Sequence, residues 1–250
     1  MFRSLVVAAA FVIFSAVSAS AQAPTPTPAP PPPPPPGWTG SLGAGAALSR
    51  GNTDTTNFNL SFDLKRDTGS KMLFKSKGVY IREAADGAIT SSRQDFEARL
   101  DRKLSDKTAL FTAVNYLRDE FTEYIVTPTA GIARQVVKTD RTELGVNVGL
   151  GVIWQKNLDA ETTSSGALNF GQDLKHKIGK SAEASEKLLA LLKLSDFGDA
   201  VYTFSAGLAA GVTSKTQIKI EMLDTYKTRP PVGAESKNDV SLLFSFVFKY

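Results

Sequence analysis

The sequence predicts an all-β chain: a transmembrane antiparallel β-barrel of about twelve strands, preceded by a leader and a proline-rich spacer. Three observations predict it. Apolar side chains recur at every second position through run after run, the period of a strand with two unlike faces. After the amino terminus no apolar stretch approaches the ~20 residues a membrane helix needs. The chain also ends on such a strand, in which Val240, Leu242, Phe244, Phe246, Phe248 and Tyr250 share one wholly apolar face. Ser241, Leu243, Ser245, Val247 and Lys249 share the other. At the edge of a soluble sandwich that aromatic row would invite edge-to-edge aggregation. In a closed barrel it faces lipid and every backbone group is paired.

Composition agrees. The 250 residues are 42% hydrophobic and 22% charged, with mean hydropathy −0.11, which excludes disorder without supplying a membrane helix. There is no cysteine, so the fold uses no disulfide. The formal net charge is +4, one unit of it from Arg3. No aromatic-interleaved basic patch accompanies this mild excess, so no nucleic-acid partner is expected.

Residues 1–21 read as a secretory signal peptide: Met1-Phe2-Arg3 is a basic start, Leu5 to Val17 an apolar core, and Ala19-Ser20-Ala21 a cleavage site. Residues 22–36 form the spacer, ending in seven consecutive prolines from Pro30. Proline has no N–H to donate to a sheet, so a stiff polyproline rod of ~3.1 Å per residue is expected on the periplasmic side.

The barrel is expected over residues 37–250. Trp38, Leu42, Ala44, Ala46 and Leu48 oppose Thr39, Ser41, Gly43, Gly45 and Ala47, and Gly51-Asn52-Thr53-Asp54 turns the chain. Phe58, Leu60, Phe62 and Leu64 alternate with Asn57, Asn59, Ser61, Asp63 and Lys65. After Asp67-Thr68-Gly69-Ser70, Met72, Phe74, Ser76, Gly78 and Tyr80 oppose Lys75, Lys77 and Val79. The fourth run decides the class. Phe96, Ala98, Leu100 and Leu104 lie on one face, interrupted by Arg102, while Arg93, Asp95, Glu97, Arg99, Asp101 and Lys103 fill the other. A lipid-facing Arg or Lys at mid-depth costs ~2–4 kcal/mol, so this row must point inward.

Later runs repeat the scheme. A strand passes Leu110 and Val114 to a loop about Glu120–Glu123, and another reaches Lys138 and turns at Thr139-Asp140. Leu144, Val146, Val148, Leu150, Val152 and Trp154 oppose Glu143, Gly145, Asn147, Gly149 and Gly151. Leu168, Phe170, Leu174 and Ile178 oppose Asn169, Asp173, Lys175 and Lys177. Leu188–Leu194 has apolar residues on both faces and could begin a helix; Ser195 and Gly198 stop it early, which favours a strand. Tyr202, Phe204, Ala206, Leu208 and Val212 oppose Thr203, Ser205, Gly207 and Gly211. Ile218, Ile220 and Met222 oppose Gln217, Lys219 and Glu221, and a loop through Pro230-Pro231-Val232-Gly233 leads to the closing strand. An even strand number puts both chain ends on one side. Trp38, Phe74, Phe248 and Tyr250 then fall at one interface, and Phe58, Tyr80, Trp154, Tyr202 and Tyr226 at the other.

Gly37-Trp38-Thr39-Gly40, Gly51-Asn52-Thr53, Tyr116–Phe121, Lys138-Thr139-Asp140-Arg141-Thr142 and the closing Asn238-Asp239 with its aromatic tail stand in one order. In that order and spacing they resemble the bacterial salt-induced outer-membrane proteins, a family with a domain of unknown function. The resemblance covers Trp38 to Tyr250, and the proline spacer is outside it. It implies an outer-membrane barrel in a Gram-negative envelope, a link to salt response in some members, and no established chemistry. The aromatic strand with Phe244, Phe246, Phe248 and Tyr250 likewise resembles the signal read by the barrel-assembly machinery, which is thus an expected partner alongside outer-membrane lipid.

No enzyme is expected. His176 is the only histidine and shares the apolar face with Leu174 and Ile178 near a strand end, so a nucleophile–base–carboxylate set cannot be assembled from spacing. Without cysteine and with one histidine, no soft-metal site is expected, and no cofactor. The inward glycines (Gly43, Gly45, Gly145, Gly149, Gly151) are expected to leave room for long charged chains, not to bind phosphate. Inward Lys65, Lys75, Lys77, Arg93, Arg99, Lys103, Lys175, Lys177, Lys193 and Lys219 outnumber Asp63, Asp95, Glu97, Asp101, Glu143, Asp173 and Glu221. Such rows tune selectivity in pores. They suit a narrow, weakly anion-preferring channel for small solutes, or a non-conducting envelope barrel whose lumen the same charges close in pairs. A receptor or adhesin is disfavoured by the modest outer loops. Oligomeric state is left open by the sequence.

Overall fold

The computed structural model describes residues 37–50, 55–69, 71–85, 88–234 and 236–250; the expected signal peptide and spacer lie outside them. The described chain is twelve strands: β1 Gly37–Arg50, β2 Thr55–Asp67, β3 Met72–Ala85, β4 Ala88–Lys103, β5 Thr108–Arg118, β6 Thr122–Lys138, β7 Thr142–Asn157, β8 Thr163–Ile178, β9 Ala182–Lys193, β10 Asp196–Gly211, β11 Thr216–Lys227 and β12 Asn238–Lys249. Each pairs antiparallel with its sequence neighbours, and β1 pairs with β12, so the sheet closes. The ambiguous leucine run is strand from Leu188 to Lys193, the end of β9, and Leu194 begins the turn. No helix long and apolar enough to cross a membrane occurs among the described residues.

The seam between β1 and β12 runs from Ser41↔Lys249 to Arg50↔Val240. Beyond it, the Tyr250 N–H donates to the Gly40 carbonyl at 3.1 Å and the Gly40 N–H to the Tyr250 carbonyl at 3.3 Å. The aromatic end is therefore paired to its last residue. Both ends of the barrel lie at one rim, the terminal rim; the β11–β12 connection, residues 228–237, belongs to the opposite, loop rim. Terminal-rim turns are built alike. The hydroxyls of Ser105, Thr139 and Thr213 each accept the N–H of the residue three on, at 3.1, 2.9 and 3.0 Å, where the next strand begins. Gly69 and Gly179 take φ of 69° and 66°, which a side chain disfavours.

Large apolar side chains stand exposed on the outer face, among them Leu42, Leu60, Leu110, Ile132, Leu150, Phe170, Leu208 and Phe246. A row of that size in contact with water would be an aggregation surface, and in contact with lipid it is the membrane band. Trp38 and Phe74 meet edge-to-face at 6.0 Å at the terminal rim, with the Arg66 guanidinium 5.2 Å over Trp38. Tyr202 and Tyr226 meet at 6.1 Å at the loop rim.

Of the inward glycines, Gly145 has room beside it, while Gly45, Gly149 and Gly151 depart from expectation. They make room less for charged chains than for neighbouring backbone and for one ring. A Cβ on Gly45 would run into the Phe244 carbonyl, one on Gly151 into the Pro128 carbonyl, and one on Gly131 into the Val148 carbonyl. Gly131 and Gly149 also lie under the Phe111 ring, whose atoms would sit 2.9 Å from either added Cβ. Close strand approach and an aromatic plate laid across two glycines set this wall. Gly131→Val should therefore destabilise the barrel by ~1–3 kcal/mol, as overpacking does. Urea unfolding in detergent reads this directly, and an unchanged midpoint would contradict the packing described.

Candidate functional site

Which face is interior follows from contacts between strands that are not neighbours. The Arg93 Nη2 donates to Thr225 Oγ1 at 2.7 Å, joining β4 to β11 across the lumen. Lys187 Nζ lies 2.8 Å from Glu97 Oε2, joining β9 to β4. Lys227 Nζ lies 2.6 Å from Asp119 Oδ2 and 3.0 Å from Thr122 Oγ1, joining β11 to the β5–β6 connection. Each partner is about five strands away around the sheet, close to a diameter. The lumen is bridged, not empty.

All the charges expected inside share this face. Register pairs Asp63 with Lys77 and Lys65 with Lys75. It pairs Lys77 with Glu97, Lys75 with Arg99 and Val79 with Asp95 on the next strand. Lys103, at the terminal end of β4, reaches Asp67 at 3.4 Å. On β8, Asp173, Lys175 and Lys177 register with Lys187, Ser185 and Glu183, and on β11 Lys219 bonds Glu221 at 2.7 Å.

The two halves of the lumen differ. Towards the loop rim it is filled. Ile81 packs on Leu243, and Ile125, Ile153 and Ala167 form a second buried cluster with Leu117 against it. Arg93, Thr225, Thr122 and Lys227 are buried among these layers. Lys193 pairs with Asp199 at 2.7 Å, and Arg229 with Asp196. Towards the terminal rim Asp63, Lys65, Lys75, Glu143, Asp173, Lys175 and Lys177 are exposed, so the lumen opens there as a charged vestibule.

Between the halves, Glu97 takes both Lys187 and Lys77, the latter at 3.4 Å. Four residues further along β4, Asp101 takes Arg99 at 2.8 Å and Lys75 at 2.9 Å, and the Arg99 guanidinium lies 4.1 Å over the Phe111 ring. Each of these two carboxylates thus faces two cations. The stacked Arg99 keeps its planar face on an apolar surface and its charge beside Asp101.

Sequence reasoning did not single out Lys187, Lys227, Asp119, Thr225 or the inward Ile81, Ile125, Ile153, Leu191 and Leu243. Lys187 alternates with Lys193 on β9, so strict dyad counting through the leucine run would have found it. Asp119 lies in the Tyr116–Phe121 stretch that carries the family resemblance, but nothing local marks it as the partner of Lys227. His176 sits on the outer face near the terminal rim, its Nδ1 2.9 Å from the Thr142 hydroxyl. No cluster of three metal-ligating side chains occurs among the described residues.

Comparison with solved structures finds the same architecture. The NanC porin is similar at TM-score 0.58 and 10% identity, with 84% of this chain and 100% of that chain covered. The KdgM porin is matched at TM-score 0.49 and 9% identity, with 84% and 99% covered. The anion-selective porin from Comamonas acidovorans is matched at TM-score 0.45 and 7% identity, with 86% and 99% covered. At 10% identity the likeness to the NanC porin is one of fold. A search of curated proteins by sequence finds no match. The family described as "Protein of unknown function, DUF481" matches residues 42–250.

Proposed function

This chain belongs to the DUF481 family of proteins of unknown function, and from that premise we propose that it is an outer-membrane barrel acting as a narrow, normally occluded channel for small solutes, with a weak preference for anions. The loop rim faces outward and the terminal rim, with its vestibule, faces the periplasm. Residues 1–21 export the chain, and residues 22–36 lie on the periplasmic side. The resemblance to salt-induced outer-membrane proteins supports the location, as does the lipid-facing apolar band.

One observation carries the reading: among the described residues the lumen is crossed by side-chain bridges, Lys187–Glu97 above all. Such bridges exchange for water without unfolding the wall, because Glu97 and both its lysines remain partly solvated. Loss of Glu97 would free Lys77 and Lys187 together. In planar bilayers the wild type should show small, infrequent openings. Glu97→Ala should open more often and shift the reversal potential toward anions. The opposite shift would remove the anion preference. Silence from the wild type and Glu97→Ala alike would leave the non-conducting envelope barrel, which the burial of the Lys227–Asp119 pair favours.

A further inference from the structure

The lipid-facing surface of β4–β7 holds a groove that the channel reading does not use. At the loop rim a hollow of about 480 Å³ is lined by Tyr116, Arg118, Glu123, Tyr124 and Val126. Below it, at mid-depth, a second of about 550 Å³ runs between Ala98, Thr112, Pro128 and Ala130, walled by Leu100 and Leu150. The two meet, since Val114 registers with Pro128 and, two residues on, Tyr116 with Val126.

Each half has its own cause. Pro128 has no N–H to give, and on its β7 side the register passes from Val126↔Trp154 to Thr129↔Gly151 without it. The small outward side chains around it cannot fill the dent. A chain-like apolar ligand can. At the rim, Arg118 ends β5 exposed and has no carboxylate partner among the described residues. Glu123 is neutralised by Lys156 at 2.8 Å, and Tyr124 shares a hydrogen bond with Thr162 at 2.9 Å. The rim hollow thus presents one free guanidinium, suited to bidentate phosphate, between two tyrosine rings that offer flat apolar faces to a sugar.

We propose that this groove is a binding site for one molecule of a phosphorylated glycolipid of the outer leaflet. Its phosphate sits on Arg118, its sugar between Tyr116 and Tyr124, and one acyl chain in the dent at Pro128. The choice of an outer-leaflet lipid rests on the orientation proposed above; the groove itself does not.

Native mass spectrometry of the purified full chain with bisphosphorylated lipid A should show a single adduct. Arg118→Glu should weaken it at least tenfold while the barrel keeps its heat-modifiable migration. Ala130→Trp, which fills the acyl half, should weaken it comparably without touching the charge. Lipid A stripped of phosphate should bind the wild type as poorly as intact lipid A binds Arg118→Glu. Arg82→Glu, an exposed outward arginine on β3 outside the groove, should change nothing. Equal loss in Arg82→Glu would mean diffuse charge attraction and would overturn the site. Equal affinity for phosphatidylglycerol would overturn the glycolipid assignment. If the protein were missing from outer-membrane fractions yet bound lipid A in detergent, the cellular location would fail and the site would stand.

Discussion

Lys227→Ala is expected to lower the stability of the barrel by ~3–5 kcal/mol, the largest effect of any single lumen substitution. The lysine and Asp119 have side chains only 6% and 10% exposed, and the ammonium also bonds the fully buried Thr122. Removing one partner leaves Asp119 as an uncompensated charge in a place water reaches poorly. The loop that carries Asp119 would lose its anchor as well, although the Leu158 N–H still holds the Phe121 carbonyl at 3.1 Å. Urea unfolding in detergent measures the loss. The double variant Lys227→Met, Asp119→Leu should recover most of it, since no charge is then left buried. A loss below ~1 kcal/mol in Lys227→Ala would show that the site is hydrated and that this end of the lumen is not closed.

Deleting Phe248–Tyr250 should strongly reduce folded protein in the outer membrane while export continues. The deletion removes the pairs Leu42↔Phe248 and Ser41↔Lys249, the two Gly40–Tyr250 bonds, and the Lys249 N–H bond to the Lys215 carbonyl at 2.8 Å. Two strands then end in unpaired backbone at the level of the Trp38–Phe74 girdle, where each unsatisfied group is costly. The same residues form the aromatic end proposed as the assembly signal, and the two causes are separable. Phe248→Ala with Tyr250→Ala keeps the backbone pairing and removes the rings. If that variant assembles as poorly as the deletion, the rings act as a signal; if it assembles normally, pairing is what matters. Normal heat-modifiable protein after the deletion itself would contradict both.

Between β2 and β4 the inward charges could be named from the sequence, because Asp63, Lys65, Lys75, Lys77 and the row from Arg93 to Lys103 fall at every second position, opposite faces that are mostly apolar or small apart from Arg102. The rule failed where the inward face is itself apolar. Ile81 and Leu243 pack on each other inside the lumen, and Leu191 is buried there too, although a two-faced strand in lipid is expected to be polar inward. What crowds Gly149 could not be read from the sequence, because the Phe111 ring that lies over it and over Gly131 comes from another strand.

By itself the sequence determined the strand count, which side chains of a strand share a face, and the turns at Ser105, Thr139 and Thr213. These depend on a covalent geometry that sends successive side chains to opposite sides and on turn residues acting within three or four positions. Tertiary structure alone decided which inward groups meet. Arg93 and Thr225 are 132 residues apart, and Lys187 reaches Glu97 from about five strands away. Those distances are set by closure and by the register summed around the whole sheet, in which one residue of slip in any pair would turn a strand inside out.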